Sequence, residues 1–321
     1  KTQSKEMKEV LCPTDFSLCA TKAVQYAAYV SAHFQAELSI IHCVHPKEFS
    51  NMAPVAVGVG GVEMGSVVAK AQMEAAKAAR VAMSALVAKI KDGTYPKCKV
   101  KGTACSFGNP IESVSNFVAK HGVDLVVTGT TGASGLKEVF IGTHTAKMVE
   151  DVKCDMLVIP VNVKKMRCHK ILVALESFEV DDLKQLKAAV EWAKNFKAKL
   201  YILHIDTKNK RPEKNENVIS EEIETDDDAS SQSSSSTNLS EANVNLKLDV
   251  KYKNHEFVIT YLDKNTKTVE KAINNFCEEN EIDTVIMYRK KRGFLQKIMH
   301  KSQTKRMALH SHIPTLILKN L

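Results

Sequence analysis

Short apolar runs alternate along this chain with longer stretches whose apolar positions recur at helical spacing. The run Val10-Leu-Cys-Pro-Thr-Asp15 predicts a strand that ends in a turn. Cys19–His33 then carries apolar residues at helical spacing, and Glu37–Val44 predicts a second strand. After a long connection, Val67–Ile90 predicts a helix and Val100–Cys105 a strand. Gly108-Asn109-Pro110 follows as a tight turn into another helix, since proline starts a helix well. Val123-Asp-Leu-Val-Val-Thr128 reads as a buried parallel strand, Thr145-Ala-Lys-Met-Val149 as a helix and Met156–Ile159 as a last strand.

The same order then returns. Ile171-Leu-Val-Ala-Leu-Glu176 repeats the shape of the first strand at a spacing of 161 residues. Leu183–Lys194 repeats the first helix and Lys199–Ile205 the second strand, down to matching His-Cys-Val and His-Ile-Asp endings. Val126-Val-Thr128 corresponds to Val285-Ile-Met287, and Met156–Ile159 to Thr315–Leu318, both at a spacing of 159. The chain is therefore an internal duplication, expected as domains 1–163 and 168–321 with a boundary around Asn162 to Arg167. Strands alternating with amphipathic helices predict an α/β fold whose parallel sheets are covered on both faces, a doubly wound arrangement.

Composition narrows the class. With 44% apolar and 26% charged residues over 321 positions, the chain has the make-up of a soluble globular protein of two domains. It holds no run long enough to span a bilayer, and its polar first residues contain no signal-peptide apolar region, so a cytoplasmic protein is expected. The eight cysteines include no Cys-x-x-Cys pair and fall partly in predicted strands, which reads as reduced thiols and no metal site. The net charge of +8 suits an anionic ligand. No basic stripe interleaved with aromatics supports nucleic acid; Arg289-Lys-Lys-Arg292 is the one dense basic cluster.

Two long connections stand apart. Met52–Gly65 is apolar and glycine-rich, a lid or interface segment on one reading and a surface loop on the other. Asp206–Asn243 is acidic and serine-rich, and about 207–243 cannot bury a core; a phosphorylation or partner site and a solvated loop both fit it.

The chemistry concentrates in Gly129-Thr-Thr-Gly132-Ala-Ser-Gly135-Leu-Lys-Glu-Val-Phe-Ile-Gly142-Thr143-His-Thr145. Glycines and hydroxyls sit where a strand ends and a helix begins. There backbone N–H groups converge and the helix N-terminus adds partial positive charge, which favours phosphate. The spacing is neither a Walker A loop nor the dinucleotide fingerprint. It resembles the ATP-binding loop of the universal stress protein family, including the Leu136-Lys-Glu between the glycines.

That resemblance implies a fold of the adenine nucleotide alpha hydrolase-like kind: two five-stranded sheets in tandem, with the last strands pairing antiparallel as an internal pseudo-dimer. It also implies a ligand: ATP, or ADP or AMP, at the carboxyl ends of the first, second and fourth strands. Carried over by position, Pro13 and Thr14 line the base pocket and Asp15 contacts the nucleoside, while the backbone of Cys43 faces the adenine edge. Asp15 also suits a turn or helix-cap role, and both can hold together. Gly129, Gly132, Gly142, Thr143 and Thr145 fall to the phosphates, with Mg²⁺ able to bridge them.

In the second repeat Tyr288, Lys291 and Lys301 replace Gly129, Gly132 and Gly142, and only Ser302 and Thr304 keep the hydroxyls. The expectation is a stress-response nucleotide-binding module with its ligand in domain 1 only. A slow ATPase, with His144 as the best general base, and a nucleotide-independent interaction scaffold are the alternatives. A homodimer or intramolecular pseudo-dimer, and an unidentified protein partner, complete the expected partners. Neither a membrane nor a nucleic acid is among them.

Overall fold

A computed structural model describes residues 6–44, 64–130, 143–163, 166–175, 180–206, 255–261, 269–289 and 313–319. In chain order its elements are β1 (Glu9–Thr14), α1 (Leu18–Phe34), β2 (Glu37–Val44), α2 (Met64–Asp92), β3 (Lys99–Phe107), α3 (Pro110–His121), β4 (Leu125–Gly129), α4 (Thr143–Asp151) and β5 (Asp155–Ile159). The second half adds β6 (Lys170–Leu175), α5 (Val180–Phe196), β7 (Lys199–Asp206), β8 (His255–Tyr261), α6 (Val269–Glu279), β9 (Thr284–Arg289) and β10 (Thr315–Lys319). The expected α/β class and strand–helix alternation stand. The helices run one to three residues beyond their predicted ends, because apolar periodicity marks the buried face and not the caps.

The chain divides into two compact units, Lys1–His169 with Asp283–Leu321, and Lys170–Ile282. In the first, the strand order is β3-β2-β1-β4-β5-β10-β9. Neighbours are parallel except β5 and β10, which pair antiparallel with Thr315 opposite Val158, Leu316 opposite Leu157 and Ile317 opposite Met156. Leu157 and Leu316 are fully buried there, each contributing about 1.5–3 kcal/mol. In the second unit β6, β7 and β8 form a parallel run. Leu11, Leu38, Ile40, Leu125 and Ile159 fill the first core, and Ile171, Leu172 and Leu186 the second.

Caps fix where the helices begin and end. Ser17 caps α1, its hydroxyl accepting from the Ala20 N–H at 3.2 Å, and Gln35 closes it in the left-handed region at φ 55°. Asn109 caps α3, Pro110 takes its first position, and Gly122 ends it at φ 67°. The duplication reaches this detail: α5 closes on Lys197 at φ 52°. Asp124, just before β4, accepts the N–H groups of Lys8 and Glu9 at 2.8 and 3.1 Å. Asp283, just before β9, accepts Arg167 Nε and the His169 N–H, the latter at 2.9 Å.

All eight cysteines are free thiols. Among the described residues no helix is long and apolar enough to cross a membrane, and no cluster of side chains is arranged to hold a metal.

Candidate functional site

The strand order 3-2-1-4-5 reverses direction at β1, with β2 on one side and β4 on the other. Connections leaving a parallel sheet diverge at such a point and open a crevice beyond the carboxyl ends of the strands. The turn after β1 and the ends of β2 and β4 are therefore the parts of the first unit that border this crevice.

The turn after β1 is built by its own side chains. Thr14 Oγ1 accepts the Phe16 N–H at 3.1 Å, and Asp15 Oδ1 accepts the Ser17 N–H at 3.0 Å. Short polar side chains that bond two residues ahead stabilise tight turns in this way. Phe16 takes φ 63°, a left-handed conformation that costs an aromatic residue about 1–2 kcal/mol. Its ring lies against His42, with centroids 4.6 Å apart. His42 sits opposite Thr14 in the β1–β2 register and is buried. Its Nδ1 is 2.7 Å from the Thr14 carbonyl oxygen. A carbonyl only accepts, so Nδ1 carries the hydrogen. Asp15 is exposed at the crevice mouth.

Cys43, next along β2, is half-buried and accepts from the Ser106 hydroxyl at 3.2 Å. The chain leaves β3 through Gly108 at φ 108°, whose N–H bonds the Val44 carbonyl at 3.1 Å. Only glycine holds that conformation without strain. Pro13 is half-buried, its carbonyl 3.7 Å from the Cys12 Sγ. Burial pushes the Cys12 thiol far above the ordinary thiol range, so it stays protonated.

At the end of β4, a Cβ on Gly129 would stand 2.6 Å from Cys19 Sγ and 3.2 Å from the Cys19 carbonyl carbon. This glycine thus lets β4 pass under the first turn of α1. The Gly129 carbonyl accepts the Thr145 hydroxyl at 2.9 Å. That bond ties the strand end to the first turn of α4 across the whole intervening loop. It also commits the single Thr145 proton, so Thr145 faces any further partner as an acceptor. Thr130 is buried beside them, its N–H on the Ile159 carbonyl at 3.0 Å. The Cys19 thiol donates to that same carbonyl at 3.6 Å.

Thr14, Asp15, Cys43, Gly129 and Thr145 therefore gather at the carboxyl ends of β1, β2 and β4 and the start of α4. Thr143 opens α4 with its backbone, while Gly132, Gly142 and the rest of 131–142 lie outside the described residues. His144, the one proposed general base, is exposed on α4. Sequence reasoning passed over His42, Phe16, Cys19 and Thr130. Only His42 left a signal, in the strand ending that the two repeats share.

The sequence profile of the Universal stress protein family matches residues 6–160 and again 168–319. Universal stress protein YxiE of Bacillus subtilis is 28% identical over 155 residues, 47% of this chain and 97% of that one. Universal stress protein MJ0531 of Methanocaldococcus jannaschii is 26% identical over 153 residues, covering 47% and 81%. Among solved structures, a universal stress protein from Archaeoglobus fulgidus superposes over 97% of this chain and 96% of its own, with TM-score 0.60 and 16% identity. That last likeness concerns the fold.

Proposed function

The chain belongs to the universal stress protein family, with the family's domain twice in tandem, and on that premise we propose that it binds one adenine nucleotide, in its first repeat. The observation that carries this reading is the gathering of Asp15, Cys43, Gly129 and the start of α4 around the point where the strand order reverses. An adenine nucleotide needs three kinds of partner, and the crevice offers each. Pro13, Thr14 and the Cys43 backbone take the base. Asp15 takes the ribose hydroxyls, since an ionised carboxylate only accepts and the hydroxyls donate. Gly129, Gly132, Gly142 and the backbone of Thr143 take the phosphates, with the α4 N-terminus adding partial positive charge. Thr145 holds the two ends of the phosphate loop together through Gly129. Mg²⁺ accompanies the phosphates, bound through them and not by a protein cage.

The second repeat, 168–321, is read as a partner without this activity. At the 159-residue spacing, Tyr288, Lys291 and Lys301 stand in the sequence where the first repeat, 1–163, has glycines. The proposed protein is a cytoplasmic binding module more than a hydrolase: His144, the base weighed for a slow ATPase, is exposed on α4, and the Asp15 carboxylate is given to the ribose.

Denaturing the purified protein and identifying released nucleotide by chromatography and mass spectrometry tests this, with titration of the stripped chain by ATP, ADP and AMP. One adenine nucleotide per chain is expected, lost on Asp15→Ala combined with Gly142→Val. Two per chain would sink the assignment to the first repeat. No release and no binding at millimolar nucleotide would sink the reading as a whole.

A further inference from the structure

We propose that His42 and Phe16 form a positioning pair that presets Asp15 for the ribose, so that the first repeat distinguishes ribonucleotides from 2′-deoxyribonucleotides. The inference rests on the nucleotide reading above and adds to it two residues that do not touch the ligand's phosphates.

The argument starts from strain. An aromatic residue at φ 63° persists only where its surroundings over-determine it. Here three contacts do so, and they close a circuit. The Phe16 N–H is held by Thr14 Oγ1 at 3.1 Å. The Phe16 ring is held by His42, 4.6 Å between centroids. His42 is held in turn by the Thr14 carbonyl, 2.7 Å from Nδ1. Parallel pairing of β1 with β2 puts Thr14 opposite His42 and so fixes the circuit to the sheet.

Asp15 lies between two members of this circuit. Its Oδ1 already accepts the Ser17 N–H at 3.0 Å, so one carboxylate oxygen is tied to the turn. If Phe16 returned to negative φ, the peptides on either side would swing and the Asp15 carboxylate with them. A site preset in this way avoids an ordering cost on binding. It also discriminates, because a ligand lacking the hydroxyl leaves a positioned polar group without its partner. The circuit explains why a buried histidine and a left-handed phenylalanine stand together at a strand end, where an ordinary core needs neither.

The test compares ATP with 2′-deoxyATP by titration calorimetry on the full chain, with a thermal midpoint for each variant. The unmodified protein is expected to prefer ATP by about tenfold or more, the scale of a hydrogen bond to a charged group. His42→Asn keeps a donor near the Nδ1 position and loses the stack. His42→Phe keeps the stack and loses the donor. Both should bring the two affinities together, chiefly by weakening ATP, whereas Phe16→Tyr should retain the preference. If His42→Phe fails to fold, His42→Asn and Phe16→Tyr still decide. The inference falls if His42→Asn keeps the full preference. It falls equally if both nucleotides weaken in parallel with the thermal midpoint, which marks a purely structural role. A protein that binds ATP without preferring ribose overturns this inference alone, whereas one that binds no adenine nucleotide overturns the function reading with it.

Discussion

Gly129 lacks a side chain for a reason that lies beneath it. As sequence it belongs to a phosphate loop, and close approach of a ligand is the reading its neighbours invite. In the structure the first constraint comes from Cys19, 2.6 Å from where a Cβ would stand. Gly129→Ala is therefore expected to destabilise by about 1–3 kcal/mol even without ligand. Cys19→Ala in the same chain should restore part of that, since the Cys19 carbonyl carbon stays 3.2 Å away. Urea unfolding midpoints of the two single variants and the double variant check this; additive costs would refute it. Thr145 has a similar double character, its motif position suggesting a phosphate ligand and its hydroxyl being spent on Gly129. Asp15 was legible as a turn residue, because a short carboxylate at a strand end commonly accepts a backbone N–H two residues ahead, as it does here from Ser17. His42 was not, since a histidine in an apolar strand says nothing of what its ring will meet across the register.

At the scale of elements, apolar periodicity located nearly every strand and helix, matched β2 at both ends and missed the ends of the helices. The ends are set by single side chains and by φ, which periodicity does not contain. Gln35 shows what this leaves open: it terminates α1 at φ 55°, where glycine is the unstrained choice. Gln35→Gly should stabilise the protein by about 0.5–1 kcal/mol, and so should Lys197→Gly at the matching end of α5, φ 52°. Thermal midpoints measured singly and together check this, and a lowered midpoint in either variant would count against it. The paired aspartates before β4 and β9 were equally invisible in sequence. Each looks like a surface acid, yet each accepts backbone N–H groups from the segment that enters its repeat's first strand.

For the whole molecule, duplication and fold class were legible because constant spacings of apolar runs survive where residue identities do not. The titration behaviour was not, because it depends on burial. Burial, partly offset by the Thr284 hydroxyl, lifts the Cys168 thiol from 9.0 to about 12. Burial and then the Glu278 charge lift Cys277 to about 12 as well. In the unfolded chain both ionise near pH 9, so between pH 9 and 12 the unfolded state holds fewer protons than the folded one. Stability is then unaffected below pH 9 and falls above it, by up to about 1.4 kcal/mol per pH unit for each thiol. Urea unfolding at pH 8, 9, 10 and 11 should show this slope, and Cys277→Ala should reduce it by close to one proton. An unchanged slope would contradict the assignment.

The antiparallel seam between β5 and β10 carries a consequence for how the protein is made. β5 is finished with the first repeat, whereas its partner arrives only after the whole second repeat has been synthesised. Until then Met156, Leu157 and Val158 present an open strand edge with apolar side chains, the kind of template that recruits other chains. Pairs so distant in sequence close late and slowly. A nascent chain therefore passes through a stage at which β10 from a neighbour fits as well as its own, and exchange of that strand yields a swapped dimer. The yield of correctly closed chain on refolding should for that reason fall as protein concentration rises, with swapped dimer in its place on size-exclusion chromatography; a yield independent of concentration would count against it.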